Sequence, residues 1–202
     1  MQVFSILARK GGVGKSTLAV HLAIEAGHAA LIDMDEQESL LQWAERRTTE
    51  EPPVLKADHT ALKGALAACR TNGYRHVFID TMPQLQAMGA IAANLADLCI
   101  IPTGPQAFDM ESIAETVEMV KTAKAKATIV LNLGRPGSGI NEQALAFLSK
   151  QYGLPVCPTV VMRRAVLGDS LFSGQAVQEQ EPKGKAAAEI KNLWRWIRKE
   201  LP

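Results

Sequence analysis

The run Lys10-Gly11-Gly12-Val13-Gly14-Lys15-Ser16-Thr17 gathers residue types that bind phosphate. Glycines at 11, 12 and 14 let the backbone turn tightly, so that successive N–H groups can face one anion. Lys15 supplies a cation for the β- and γ-phosphates of a nucleotide, and the Ser16 hydroxyl is placed to ligate Mg²⁺. An apolar stretch over 3–8 precedes this run and a helical pattern over 16–26 comes after it. The loop therefore falls at a strand-to-helix junction, where a helix aims its positive dipole end at the same anion.

Two acidic segments come next in chain order. Leu31-Ile32-Asp33-Met34-Asp35-Glu36-Gln37 puts two aspartates at the end of a second apolar strand. Ligands of open α/β sheets bind at such strand C-termini. His76-Val77-Phe78-Ile79-Asp80-Thr81-Met82-Pro83 is another apolar strand ending in an acid. It reads as a Walker B segment, with Asp80 in the Mg²⁺ shell.

These residues need elements to position them. Apolar runs over 3–8, 29–33, 54–57, 76–80, 98–102, 128–132 and 156–162 read as strands, most of them buried on both faces. Helical patterns fit between them over 16–26, 60–70, 109–125, 141–152 and 185–201. Gly27 and Gly153 close two of these helices. Strand and helix in alternation predict an α/β fold: one P-loop NTPase domain over residues 1–202, with a mostly parallel sheet and helices on both faces. The stretches 50–53, 135–139 and 179–184 read as surface loops.

Composition sets the outer bounds. The chain has 202 residues, 47% hydrophobic and 21% charged, which suits one globular domain with a sizeable core. A net charge of +1 makes no case for nucleic acid across the whole chain, so any basic surface must be local. Cys69, Cys99 and Cys157 form no C-x-x-C pair and read as buried thiols. The chain opens directly on a strand, with no secretory leader, and no apolar run approaches the roughly 20 residues of a membrane span. A cytoplasmic protein is expected.

Arg9 stands where the common G-x-x-x-x-G-K-[ST] loop has its first glycine, and Lys10 adds a second lysine inside the loop. This resembles the deviant Walker A motif, x-K-G-G-x-x-K-[ST], of the ParA/MinD family of positioning ATPases. The likeness extends over nearly the whole chain and is nearest to short ParA proteins of the ParF type. It implies ATP/ADP and Mg²⁺ as cofactors and an ATP-dependent homodimer in which Lys10 reaches the partner's phosphates. By the same resemblance, Asp33 supports Mg-bound water and Asp35 handles the attacking water. Ile129-Val130-Leu131-Asn132 resembles the family's strand ending in an Asn, which implies that Asn132 reads the adenine edge. Glu36 replaces the family's usual proline, and Met82 departs from its D-T-P or D-x-P pattern.

Short ParA proteins bind DNA non-specifically when ATP-bound, and a ParB- or ParG-type adaptor on the cargo triggers hydrolysis. The resemblance thus implies a cytoplasmic, nucleoid-associated bacterial switch. The terminal helix offers a surface for this. Ala186, Ile190, Leu193, Trp194, Ile197 and Leu201 form an apolar stripe, with Lys191, Arg195, Arg198 and Lys199 opposite it. Arg163 and Arg164 are the next basic candidates. A MinD-like membrane regulator is the alternative, and it requires the apolar stripe to be free. A small-molecule ligase built on the same loop is a third reading.

Overall fold

The computed structural model describes residues 1–83 and 86–201. Six strands form one parallel sheet: β1 Gln2–Ile6, β2 Ala29–Asp33, β3 Val54–Lys56, β4 His76–Asp80, β5 Leu98–Thr103 and β6 Ala127–Leu131. Their spatial order is β3-β2-β4-β1-β5-β6. The helices are α1 Lys15–Ala26, α2 Ser39–Glu45, α3 Leu62–Thr71, α4 Gln86–Leu95, α5 Ala107–Ser112, α6 Ala114–Thr122, α7 Ile140–Gln151, α8 Ala165–Phe172, α9 Val177–Gln180 and α10 Lys185–Glu200.

The strands carry near-continuous apolar runs because both faces are covered. Alternation splits each run. Phe4, Leu31, Phe78, Ile100 and Val130 pack toward α1, α8, α9 and α10. Ala30, Ile32, Val77 and Ile79 pack toward α3 and α4, while Cys99, Ile101, Ile129 and Leu131 pack toward α6 and α7. All three cysteines are buried free thiols.

The apolar stripe of α10 is fully enlisted. Ala186, Ile190, Leu193, Trp194 and Ile197 are buried in the core, and Leu201 packs on its edge. Trp194 meets Phe4 and His76 edge-on, with ring centroids 5.4 and 5.1 Å apart. Burying such a stripe stabilises by roughly 1.5–3 kcal/mol per large side chain, so it is not available to a membrane.

Three expectations about elements need correction. Residues 156–162 do not form a seventh strand. They run beside β6, where Val156 bridges Ile129 and the N–H groups of Cys157 and Val161 donate to Ile129 O and Leu131 O, and Met162 bridges Gly134 beyond it; between these contacts Pro158 has no N–H to give a continuous ladder. The helix expected over 109–125 is two helices, α5 and α6. The Ser112 hydroxyl donates to Asp109 O at 2.7 Å, a local bond that competes with helical pairing where the chain breaks. Helices α2, α4, α8 and α9 are additional to the expected ones; α9 begins ahead of the expected loop 179–184 and ends inside it. They are short or carry weak periodicity and owe their form to packing on the sheet.

Candidate nucleotide-binding site

The loop between β1 and α1 turns through two left-handed glycines, Gly12 at φ 76° and Gly14 at φ 87°. Gly14 is also the N-cap of α1. A side chain there would be strained, and its Cβ would collide with the Asn132 amide. The backbone N–H groups of residues 11–14 take no partner among the described residues. With the first turn of α1 they form a set of unspent donors suited to phosphate. Lys15 is buried and makes no ion pair among the described residues.

The end of β6 holds this loop in place. Asn132 is buried, and its Nδ2 donates to Val13 O at 2.7 Å. Its backbone N–H donates to Thr103 O at 2.8 Å. Asn132 thus ties β5, β6 and the loop together, with its amide nitrogen engaged by the protein itself.

Asp33 and Asp80 close adjacent parallel strands in register. Counting back by two from each acid gives Leu31 and Phe78, which face α1, so both acids point to the same side as the loop. Asp33 Oδ1 accepts from Asp35 N at 3.0 Å, and Oδ2 accepts from Leu40 N at 2.9 Å and Leu41 N at 3.4 Å. These bonds shape the turn from β2 into α2. Burial raises the Asp33 carboxyl above its usual range even against those amides.

Asp80 is different. Both its oxygens are buried without a well-formed hydrogen bond. Burial pushes its carboxyl up to about 7, against the pull of the Ser16 hydroxyl and the Lys15 ammonium. A buried carboxylate in that state beside a serine hydroxyl is a donor set that fits Mg²⁺. No three His, Cys, Asp or Glu side chains cluster as a cage among the described residues. An ion here would draw on Ser16, the Asp80 shell and nucleotide phosphates, as Mg²⁺ commonly does. Thr81 fixes this strand end, its hydroxyl donating to Ile6 O at 2.8 Å. Residues 84–85 of the next segment lie outside the described residues.

Asp35 is half-buried past the end of β2, its Oδ1 accepting from Gln37 N at 3.0 Å. Glu38, in the left-handed region at φ 54°, leads the same turn into α2, a turn that takes Glu36 without the family's proline. Lys10 points away from the cradle and donates to Asp109 Oδ1 at 2.5 Å. Arg9 pairs with Glu115. Sequence reasoning missed both acids. Asp109 read only as a helix start, and no spacing connects it to a lysine 99 positions earlier.

The expected basic surface is also assembled. Lys191, Arg195, Arg198 and Lys199 are exposed on the outer face of α10, around a groove they share with Glu25 and Trp194. Glu25 lies in the last turn of α1, so the groove sits about 15 Å along that helix from the phosphate loop, at ~1.5 Å per residue. Arg163 lies elsewhere, in a cleft with Lys185 and Glu181, and Arg164 is paired with Glu189.

Comparison with known proteins agrees with this geometry. Maintenance of carboxysome distribution protein A of Halothiobacillus neapolitanus is 31% identical, over 89% of this chain and 88% of the relative. The fold matches the MinD cell division protein of Aquifex aeolicus with a TM-score of 0.79 at 17% identity, covering 98% of both chains. It also matches the septum site-determining protein MinD of Pyrococcus horikoshii, complexed with Mg-ADP, with a TM-score of 0.77 at 19% identity over 98% of this chain and 96% of that one. Residues 4–177 match the CobQ/CobB/MinD/ParA nucleotide binding domain, and the chain belongs to that family of nucleotide-binding ATPases.

Proposed function

We propose that this protein is a Mg-dependent ATPase that positions a cargo, switching between a monomer and an ATP-bound homodimer that binds DNA without sequence preference. The observation that carries this reading is the division of labour between two lysines of one loop. Lys15 is buried at the cradle, while Lys10 extends along the surface, where it can serve a phosphate outside its own site.

In this reading the N–H groups of residues 11–14 and Lys15 bind the phosphates of ATP, with Gly11, Gly12, Val13, Gly14, Ser16 and Thr17 forming the cradle. Ser16 and Asp80 hold Mg²⁺, and Asp33 orders the turn that carries its water shell. Bound there, the ion neutralises charge developing on the phosphates. Asp35 orients the attacking water. Asn132 anchors the loop through Val13 O, and its remaining amide oxygen serves the adenine edge. Lys191, Arg195, Arg198 and Lys199 contact DNA phosphates. A ParB/ParG-type adaptor on the cargo stimulates turnover, and the protein is nucleoid-associated in the bacterial cytoplasm.

The relative that maintains carboxysome distribution favours a large protein assembly as cargo over a plasmid. The MinD-like membrane alternative finds no support in α10, whose apolar stripe is buried. No helix among the described residues is long and apolar enough to cross a membrane.

The test is ATP hydrolysis and DNA binding by the wild-type chain, Lys15→Ala and Asp35→Ala. Lys15→Ala is expected to lose nucleotide affinity by about 100-fold or more, since a charge-assisted contact to phosphate disappears. Asp35→Ala is expected to keep ATP-dependent DNA binding while phosphate release falls about 10-fold or more. ATP-independent DNA binding by the wild type, or undiminished turnover in Asp35→Ala, would overturn the reading.

A further inference from the structure

Just past the end of β6, Leu133 stands at φ 57°, in the left-handed region that a residue with a side chain rarely takes. Its neighbours are all tied down. On one side, Asn132 donates its N–H to Thr103 O and its Nδ2 to Val13 O. On the other, Gly134 N donates to Val161 O at 3.0 Å, and Gly134 O accepts from Arg163 N at 2.8 Å. That approach leaves no room at position 134, where a Cβ would stand 2.9 Å from Met162 Sδ and closer still to Val160. Arg135 comes next. It is exposed, yet both of its backbone groups are taken by one side chain. Asn141 Oδ1 accepts from Arg135 N at 3.0 Å, and Asn141 Nδ2 donates to Arg135 O at 2.7 Å. Asn141 is buried in the first turn of α7. A residue in a sparsely populated conformation persists where its surroundings over-determine it, and such residues gather at ligand clamps.

Two groups inside this clamp stay open. Neither the Leu133 N–H nor Asn132 Oδ1 has a partner among the described residues. They are a donor and an acceptor on consecutive residues. Adenine offers their complement, an N6 amino donor beside an accepting N1, whereas guanine presents the reverse, O6 beside N1–H. We infer that Asn141 is a positioning residue for base selection. It holds the segment from Asn132 to Arg135 so that Asn132 Oδ1 and the Leu133 N–H keep the spacing that takes adenine and rejects guanine. This rests on the reading of Asn132 at the adenine edge. Phosphate is held elsewhere, by the loop over residues 11–15. Asn141 therefore governs which base is bound and leaves polyphosphate binding alone.

Calorimetric titration of the full chain with Mg²⁺ and three ligands tests this. The ligands are a non-hydrolysable ATP analogue, the matching GTP analogue, and inorganic tripolyphosphate, which carries no base. Wild type is expected to prefer the ATP analogue about 10-fold or more, since a mismatched edge leaves polar groups unpaired. Asn141→Ala is expected to shrink that preference to roughly 2-fold, with tripolyphosphate affinity unchanged. Asn141→Asp keeps the size but sets a carboxylate oxygen against Arg135 O, and is expected to lose selectivity likewise. Leu133→Gly removes the cost of the left-handed φ and keeps the N–H. Added to Asn141→Ala, it is expected to restore part of the preference, a rescue that an asparagine serving only the fold would not show.

A preference in Asn141→Ala equal to that of wild type overturns the inference. So does an equal loss of affinity for all three ligands, which would make Asn141 a support of the phosphate loop. A wild-type protein that binds both analogues alike overturns the adenine reading itself, a separate and recognisable result. Melting curves establish that each variant is folded, and Asn141→Asp alone decides if Asn141→Ala is not.

Discussion

Asp33 and Asp80 face each other in register at the ends of neighbouring strands, yet one carboxylate is fully engaged by backbone amides and the other has no well-formed hydrogen bond. The difference lies in the path of the chain beyond each strand. After Asp33 the chain curls into α2 and returns the amides of Leu40 and Leu41 to the acid. After Asp80 the chain leaves along Thr81, whose hydroxyl goes to Ile6 instead. An orphaned buried carboxylate is costly without a counter-ion, which singles out Asp80 as the group suited to a cation.

Asp80→Asn should therefore stabilise the ligand-free protein while abolishing its response to Mg-nucleotide. Asp80 has its carboxyl raised from 3.8 to about 7, so the cost of its charge is absent below pH 4 and fully present above pH 7. At pH 8 the neutral amide should add roughly 1–3 kcal/mol to apo stability. Differential scanning calorimetry with and without Mg-ADP checks both halves. A lower apo melting temperature in the variant would mean that the carboxylate has a partner after all.

His21 should make the fold sensitive to mild acid. Its Nε2 lies 3.1 Å from Leu167 O, and its Nδ1 accepts from Val177 N at 3.3 Å, so the neutral ring joins α1 to α8 and α9. Burial lowers its pKa from 6.5 to about 4. The unfolded chain then binds more protons between those values. The stabilisation from a neutral His21 is complete above pH 6.5 and is lost as pH falls to 4, by up to about 3 kcal/mol. Asp80 acts in the opposite sense over the same window, so His21→Gln must be compared with wild type at each pH. The expected outcome is a difference in stability that shrinks as pH falls. A constant difference would show that His21 does not titrate in that range.

Asn132→Ala should weaken nucleotide binding without touching phosphate directly. It leaves Val13 O buried without its donor, a cost of about 1–3 kcal/mol, and frees the loop to leave its binding geometry. Affinity for ATP is expected to fall roughly 10-fold, with a lower melting temperature. Calorimetric titration measures the first, and unchanged affinity would separate loop anchoring from binding. Gly14→Ala should be harsher, because it combines a left-handed φ with a collision against the same amide.

The basic face of α10 should bind DNA through phosphates alone. Arg195→Ala with Arg198→Ala removes two exposed cations and no buried contact. DNA affinity should fall for all sequences alike, and the slope of log affinity against log salt should flatten by about 2 per chain engaged, about 4 for a dimer using both α10 faces. Fluorescence anisotropy on random duplex at several salt concentrations reads this out. Intact affinity and slope would move the surface to Arg163 and its neighbours.

The phosphate loop, both strand-end acids and the α/β layering were legible in the sequence because they are local. Glycine spacing around Lys15 and apolar runs ending in Asp33 and Asp80 record strand, turn and helix within a dozen residues. The amphipathic pattern of α10 was legible too, but not whether its apolar stripe faced core or membrane; the sheet decided that by packing Trp194 against Phe4 and His76. Pairings between distant residues left no local trace. Asn132 reaches Val13 across 119 positions and Asp109 reaches Lys10 across 99, because parallel strands bring their C-terminal ends to one edge whatever their separation along the chain. Periodicity reports which face a side chain takes, whereas the partner on that face is set only when the strands are laid side by side.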